Sequence, residues 1–277
     1  MYLFVYVEIW KKNDVPLSLS MKLKKTKYMI PKKIHYCWFG GNPLPSLALK
    51  CIESWRKYLP DYEIKEWNES NFDLSYNDYV REAYEARKWA FITDVVRLYA
   101  MVTEGGIYMD TDVEVLKSLD SLLSYDAVSG FESETRISTG LMACRKGHPL
   151  FEELLREYDG IHFKRFDGSL DMTTNVTRIT NTCLKYGFVP NNQKQTVNGF
   201  TLLPKDYLCP IEQDGHILRL TSNTLTIHHF AGSWVEGSHK FKRNVARFLG
   251  GRLSGTIVRM KHSLIRLFSL GQKRENR

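Results

Sequence analysis

The stretch FITDVVRLYAMVTEGGIYMDTDVEV, residues 91–115, constrains the fold more than any other part of the chain. Phe91, Val95, Leu98 and Val102 recur at intervals of four, three and four, which turns one apolar stripe of a helix towards a core. The Gly105–Gly106 pair ends that helix, and Ile107, Tyr108 and Met109 read as a brief strand entering the core. Asp110 and Asp112 follow at once, one residue apart. Carboxylates beside a core are costly unless they are hydrogen-bonded, paired or hold a cation. The alternative is a solvated turn in which Asp112 caps a helix or faces water, and a bare D-x-D arises often by chance.

The surrounding pattern alternates strand and helix. Ile34–Phe39 reads as a strand, Gly40–Pro45 as a loop, SLALKCIESWRKYLP as a helix closed by Pro60, and YEIKEW as a second strand. Further strands are expected at 106–109, 113–116, 127–131 and 140–144, with helices at 149–158 and 173–186. This order predicts an α/β layered fold with a mostly parallel central sheet whose loops gather at the carboxyl ends of the strands. With 277 residues, 43% of them hydrophobic, the chain is long enough to bury one large core with an appendage. No internal repeat interrupts it.

Charge divides the chain. Residues 240–277 hold eleven Lys/Arg against one acid and residues 1–28 hold six against two, which leaves 29–239 at −6 of the overall +8. An acidic middle between basic ends is not the distribution of a protein that grips nucleic acid with its core surface, so no nucleic-acid partner is expected. The organisation expected is a poorly ordered leader over 1–28 ahead of an alternative start at Met29, a catalytic domain over 29–239 and a basic segment over 240–277. Cys37, Cys51, Cys144, Cys183 and Cys209 are odd in number and lack metal spacing, which suits reduced thiols and a cytoplasmic location. No apolar run approaches the roughly 18–20 residues that span a bilayer, and MYLFVYVEIW has no basic start.

Three further groups could join the aspartates. Asp94 and Arg97 lie three apart on one helix face; they suit either a surface ion pair of about 0.2–0.5 kcal/mol or a carboxylate and guanidinium that bind sugar hydroxyls. IHHFAGSW, residues 227–234, places two histidines after a strand-like run, and either could complete a metal site; the competing reading is one core and one surface histidine. Trp38 offers a plane for stacking on a base, or a core side chain beside the first strand.

Taken in order, IPKKIHYCWFGG, FITDVVRLYAMVTEGGIYMDTDVEVL and HHFAGSW resemble the DXD-containing sugar transferases of capsular polysaccharide and lipopolysaccharide O-antigen synthesis. That group includes the yeast initiating mannosyltransferases and, more distantly, the large glucosylating toxins. The resemblance covers nearly all of residues 29–240. It implies a GT-A nucleotide-sugar-binding fold and transfer of a hexose or N-acetylhexosamine, with retention, from a nucleotide sugar, expected to be UDP-linked, to a polysaccharide or lipid-linked oligosaccharide. By motif position it implies Asp110, Asp112 and His229 as ligands of Mn²⁺ or Mg²⁺, with His228 as the alternative. Asp94 and Arg97 then resemble donor-sugar ligands, Trp38 the base-stacking residue and Tyr108 a pocket wall. Ser233 and Trp234 resemble groups that hold the diphosphate. Asp94, Arg97 and Asp112 are the expected catalytic residues, and the departing phosphate the expected acceptor of the incoming hydroxyl's proton.

The basic segment repeats Val245, Leu249, Leu253, Ile257, Met260, Leu264 and Phe268 at helical spacing between Arg and Lys, weakened by Gly250, Gly251 and Gly255. Such a C-terminal amphipathic helix suits peripheral attachment to an anionic membrane surface on the inner face of the plasma membrane, or packing against the catalytic domain. Two rival functions share single features. A haloacid-dehalogenase-type Mg²⁺-dependent phosphatase also carries D-x-D after a strand, but needs a downstream lysine and a second acidic pair. A non-enzymatic membrane- or nucleic-acid-binding module would use only the basic ends.

Overall fold

The computed structural model describes residues 30–212 and 217–232. The leader 1–28, the segment 240–277 and its expected helix, and Ser233 and Trp234 lie outside the described residues.

The expected alternation is present. In chain order, β1 (Lys33–Cys37), α1 (Ser46–Tyr58), β2 (Glu63–Trp67), α2 (Asp78–Glu85), α3 (Trp89–Thr103), β3 (Gly106–Met109) and β4 (Val113–Val115) form the first half. After a 3-10 turn at Asp120–Ser124 come β5 (Ala127–Gly130), β6 (Leu141–Cys144), α4 (Pro149–Arg156) and α5 (Asn175–Lys185). β7 (Gln195–Val197), β8 (Phe200–Leu203), α6 (Lys205–Leu208), β9 (Ile211–Glu212), β10 (Ile217–Leu218) and β11 (Thr226–His228) complete it. Helix α2 and strands β7 to β10 were not expected. α2 buries Tyr79, Val80 and Ala83 and is capped by Asn77, whose side chain accepts the Val80 N–H; at eight residues it offers only two turns of periodicity.

Seven strands make the central sheet in the order β2-β1-β3-β6-β5-β8-β7. β1 pairs parallel with β2 and β3, and β5 with β8, while β6 and β7 pair antiparallel with their neighbours. Five strands therefore run one way and two the other. The carboxyl ends of β1, β2, β3, β5 and β8 meet at one edge.

Strand residues point alternately to the two faces, and each face has its own apolar layer. Tyr108, Met142 and Cys144 join α2, α3, α4 and α5 on one side. Ile107, Met109, Leu141 and Ala143 join α1, β4 and the 3-10 turn on the other. Trp55 of α1 is fully buried there and donates from Nε1 to the Val113 carbonyl at 2.7 Å, fixing the start of β4 just beyond the aspartates. All five cysteines are buried and unpaired. Among the described residues no helix is long and apolar enough to cross a membrane.

The turn between α3 and β3 is built on its glycines. Gly106 has φ +112°, and a Cβ there would sit 2.6 Å from the Lys33 carbonyl and 3.2 Å from the His35 ring. His35 accepts at Nδ1 from Trp67 Nε1 (3.0 Å), so its Nε2–H donates to the Gly105 carbonyl (2.8 Å), and burial holds its pKa down in that neutral form. Gly106→Ala is expected to destabilise the fold by more than the roughly 1–3 kcal/mol of an unfavourable backbone conformation, because the methyl also wedges β3 from β1. A urea midpoint within error of wild type would refute this.

Candidate functional site

The aspartates stand at the carboxyl edge of β3, where α3 presents Asp94 and Arg97 from behind. Both of these side chains turn inwards, with Asp94 at 7% and Arg97 at 5% exposure, which excludes a solvated surface pair. Arg97 Nη2 lies 3.3 Å from Asp94 Oδ1 and Nη1 lies 3.3 Å from Asp110 Oδ1. Nη1 also donates to the Thr139 carbonyl (2.8 Å) and Nε to the Thr93 carbonyl (3.2 Å). The guanidinium lies 4.6 Å from the centroid of the Tyr108 ring. Burial opposes its charge, yet Asp110, Tyr108 and Asp94 together hold its pKa above the ordinary value. Asp94 is pushed up to about 6, by burial first, against Arg97 and the Asn175 N–H that donates to it at 3.0 Å. A buried charge of this kind is stable only with its partners in place.

The pairing of β4 with β11 delivers the histidine. His228 sits opposite Val113 and Ile227 opposite Glu114, so His228 emerges beside Asp112. Side chains alternate along a strand, so only one of two adjacent histidines can face the aspartates. That one is His228, whose Nε2 is 3.3 Å from Asp112 Oδ1 and 3.9 Å from Asp110 Oδ2. His229 points to the other face, where its Nε2 is 2.8 Å from Glu114 Oε2. The assignment of His229 as the ligand is thereby corrected to His228, the alternative read from the same dipeptide.

Each aspartate has one oxygen anchored away from the histidine and one turned towards it. Asp110 Oδ1 accepts from Tyr108 Oη (2.8 Å) and faces Arg97, while Asp112 Oδ2 accepts the Ala231 N–H (2.6 Å). Asp110 Oδ2 and Asp112 Oδ1 remain turned towards His228 Nε2. Burial opposes the Asp112 charge, but the His228 charge and the Ala231 N–H outweigh it and bring its pKa down to about 2. His228 is also penalised by burial, yet Asp112 raises its pKa well above the ordinary value.

Asp110, Asp112 and His228 each offer a ligand atom within 4.8 Å of the other two. Six-coordinate Mg²⁺ holds ligand atoms at about 2.1 Å, so adjacent ligands stand about 3 Å apart and opposite ones about 4 Å. The three atoms fit that spacing with little movement, and two carboxylates with one imidazole suit Mn²⁺ or Mg²⁺ chemically. One feature of the surroundings departs from common metal sites. Among the described residues His228 Nδ1 is buried without a hydrogen-bond partner, and the Cys209 thiol donates instead to Ser138 Oγ at 3.3 Å. Packing orients the ring in its place, with Phe230 stacked at 4.1 Å on the centroids and Gly140 so close that a Cβ there would lie 2.6 Å from the imidazole.

Of the other residues read from sequence, Tyr108, expected as a pocket wall, is buried beneath Asp110, to which its hydroxyl donates. Trp38 is half-buried beyond β1, with Nε1 donating to the Asn42 carbonyl at 2.6 Å. Thr139, Gly140 and Asn175 belong to the site and were missed. Only Gly140, in the Ser-Thr-Gly that precedes a strand, carried a local signal.

Comparison with known proteins agrees with this picture. Residues 45–129 match the family described as the glycosyltransferase sugar-binding region containing DXD motif. The chain is 34% identical over 131 residues to inositol phosphoceramide mannosyltransferase 3 of Schizosaccharomyces pombe, covering 46% of this chain and 36% of that protein. It is 25% identical over 224 residues to uncharacterized glycosyltransferase L373 of Acanthamoeba polyphaga mimivirus, covering 75% and 84%. The chain thus spans about a third of the length of the yeast relative. A solved glycosyltransferase involved in glycosylation of the major capsid of PBCV-1 overlaps 76% of this chain and 98% of its own at 14% identity and a TM-score of 0.41, a likeness too loose to carry argument.

The geometry separates the two histidines by experiment. His228→Ala should weaken Mn²⁺ binding, followed by calorimetry, by at least the 10–100-fold typical of a lost supporting group, and Gly140→Ala should weaken it by displacing the ring. His229→Ala should bind Mn²⁺ within about threefold of wild type. The reverse order would show that the strand register misplaces the ligand.

Proposed function

We propose that this chain transfers a hexose or N-acetylhexosamine, with retention, from a nucleotide sugar to a glycan or lipid-linked acceptor, using a divalent cation. The observation that carries this reading is the convergence of Asp110 Oδ2, Asp112 Oδ1 and His228 Nε2 at the end of β3, the two aspartates lying within the segment 45–129 that matches a glycosyltransferase sugar-binding region. The names of the fungal relative and the viral one support glycosyl transfer, and the former also favours a lipid-linked acceptor.

Asp110, Asp112 and His228 would hold the cation. When bound, it neutralises charge on the diphosphate as the glycosyl bond breaks, where electrostatic stabilisation contributes most. The remaining residues prepare that site. Tyr108 and Arg97 fix one oxygen of Asp110, and Ala231 fixes one oxygen of Asp112, so the free oxygens need no reorganisation. Asp94 and Arg97 act as positioning groups in this reading, because their charges are spent on each other, Asp110, Asn175 and Thr139. Trp38, at the end of β1 on the same sheet edge, is the candidate for stacking on the base.

A phosphatase of the haloacid-dehalogenase type is disfavoured, because the cations facing the two aspartates among the described residues are Arg97 and His228 and not a lysine. The decisive test is a panel of UDP- and GDP-sugars incubated with Mn²⁺, with nucleotide release as readout. At least one should be turned over, chelation with EDTA should stop it, and Asp112→Ala should reduce it by about 10²-fold or more with an unchanged circular dichroism spectrum. A wild-type protein inert towards the whole panel, or an Asp112→Ala variant close to wild type, would reject the reading.

A further inference from the structure

A third carboxylate belongs to this site. β5 runs in the same direction as β3 with only β6 between them, so both end at the same edge of the sheet, about 10 Å apart at 4.7–4.9 Å per strand. Asp110 is the first residue beyond β3 and Glu132 the second beyond β5. Between them stands Gly140, just before β6, whose carbonyl accepts the Asp110 N–H at 2.8 Å and whose missing side chain is replaced by the His228 ring. Asp110 and Glu132 therefore stand at the same edge of the sheet, with Gly140 and the His228 ring between the ends of β3 and β5.

Glu132 is held firmly there. Its N–H donates to the Arg136 carbonyl at 3.0 Å, and Phe131 bridges to Ile137 across the β5–β6 turn. Its side chain is half-buried, yet among the described residues its carboxylate accepts no hydrogen bond and forms no ion pair. Burial raises its proton affinity, His228 and Arg136 lower it and Asp110 raises it again, so the charges of His228, Arg136 and Asp110 all act on it. An unpartnered, half-buried carboxylate costs stability and calls for an explanation outside folding.

We propose that Glu132 takes the proton of the acceptor hydroxyl, standing across Gly140 from the three cation-holding side chains. The inference rests on the glycosyl-transfer reading. In the step, the acceptor oxygen bonds to the anomeric carbon while the bond from that carbon to the phosphate oxygen breaks and its electron pair leaves with the diphosphate. The acceptor's proton passes to a Glu132 oxygen and afterwards to water. Glu132 thus replaces the departing phosphate, which sequence alone nominated for this task.

The test uses the full chain with Mn²⁺ and the panel donor that wild type turns over, with water as acceptor. Glu132→Gln should lower kcat by about 10²-fold or more while the donor KM stays within about threefold, and its Tm should equal or exceed that of wild type because an unpaired carboxylate has gone. Glu132→Ala should be partly rescued by added formate, and added azide should not enter the product. Wild-type kcat in Glu132→Gln would return the proton to the leaving phosphate and overturn the proposal. So would a change in KM alone, which marks a sugar contact, or a glycosyl azide product, which marks a nucleophile. A lowered Tm with no rescue by formate assigns a structural role and equally overturns it. Wild-type protein that binds Mn²⁺ but releases no nucleotide removes the transfer reading itself, and this proposal with it.

Discussion

Arg97 is the constraint on which the rest of the site depends. A guanidinium at 5% exposure must find its counter-charges inside the protein, and it finds them in Asp94 on its own helix and Asp110 beyond the glycine turn. Its donation to the Thr139 carbonyl ties α3 to the approach of β6, and its position over Tyr108 ties it to β3. One side chain thus fixes the distance between the helix and the sheet edge at which the aspartates stand. The desolvation of such an ion is offset only when every partner is present, so the arrangement tolerates little adjustment. The same rigidity frees one oxygen of Asp110 by occupying the other.

The charges clustered at this edge do not sum to zero. Asp94, Asp110, Asp112 and Glu132 outnumber Arg97, Arg136 and a protonated His228 by one, and most of them are at least half-buried. Surplus negative charge in a partly dry pocket is unfavourable by itself; with the imidazole neutral, as a bound ion requires, the excess becomes two, which one divalent cation matches. Among the described residues Glu132 is the member whose carboxylate has no hydrogen bond or ion pair. The remaining members are paired for geometry, whereas Glu132 stands ready for something that arrives from outside.

Much of this could be read in the sequence because it is local. Of the residues at three- and four-residue spacing, Phe91, Val95 and Leu98 are buried in α3 and Val102 is partly buried against the same core, and the Gly pair is the turn at which β3 begins. Strand positions 106–109 and 127–130 follow directly from apolar runs bounded by turn residues. What escaped is non-local. The choice of His228 over His229 depends on the β4–β11 register, which adjacent histidines in a strand cannot reveal. Asn175 reaches Asp94 across 81 positions of chain, and Glu132 reaches the site through the order of strands in the sheet. Asp94 and Arg97 were legible as a pair but not as a buried one, since i,i+3 spacing looks the same on either face of a helix.

The trio of Asp110, Asp112 and His228 is assembled from two places in the sequence, joined by a strand pair only three residues long on each side. That pair is held at one end by Trp55 on the Val113 carbonyl and at the other by the Thr226 hydroxyl on the Leu208 carbonyl. His228 and Asp112 attract each other across it, and without an ion that attraction is carried by a protonated imidazole. An ion shared by Asp110, Asp112 and His228 would take over this role and require the imidazole to be neutral. Whatever binds there selectively stabilises the closed register of β4 and β11, because the unpaired strands do not present the three ligand atoms together. Assembly of the site and closure of this short sheet are, on that argument, one equilibrium.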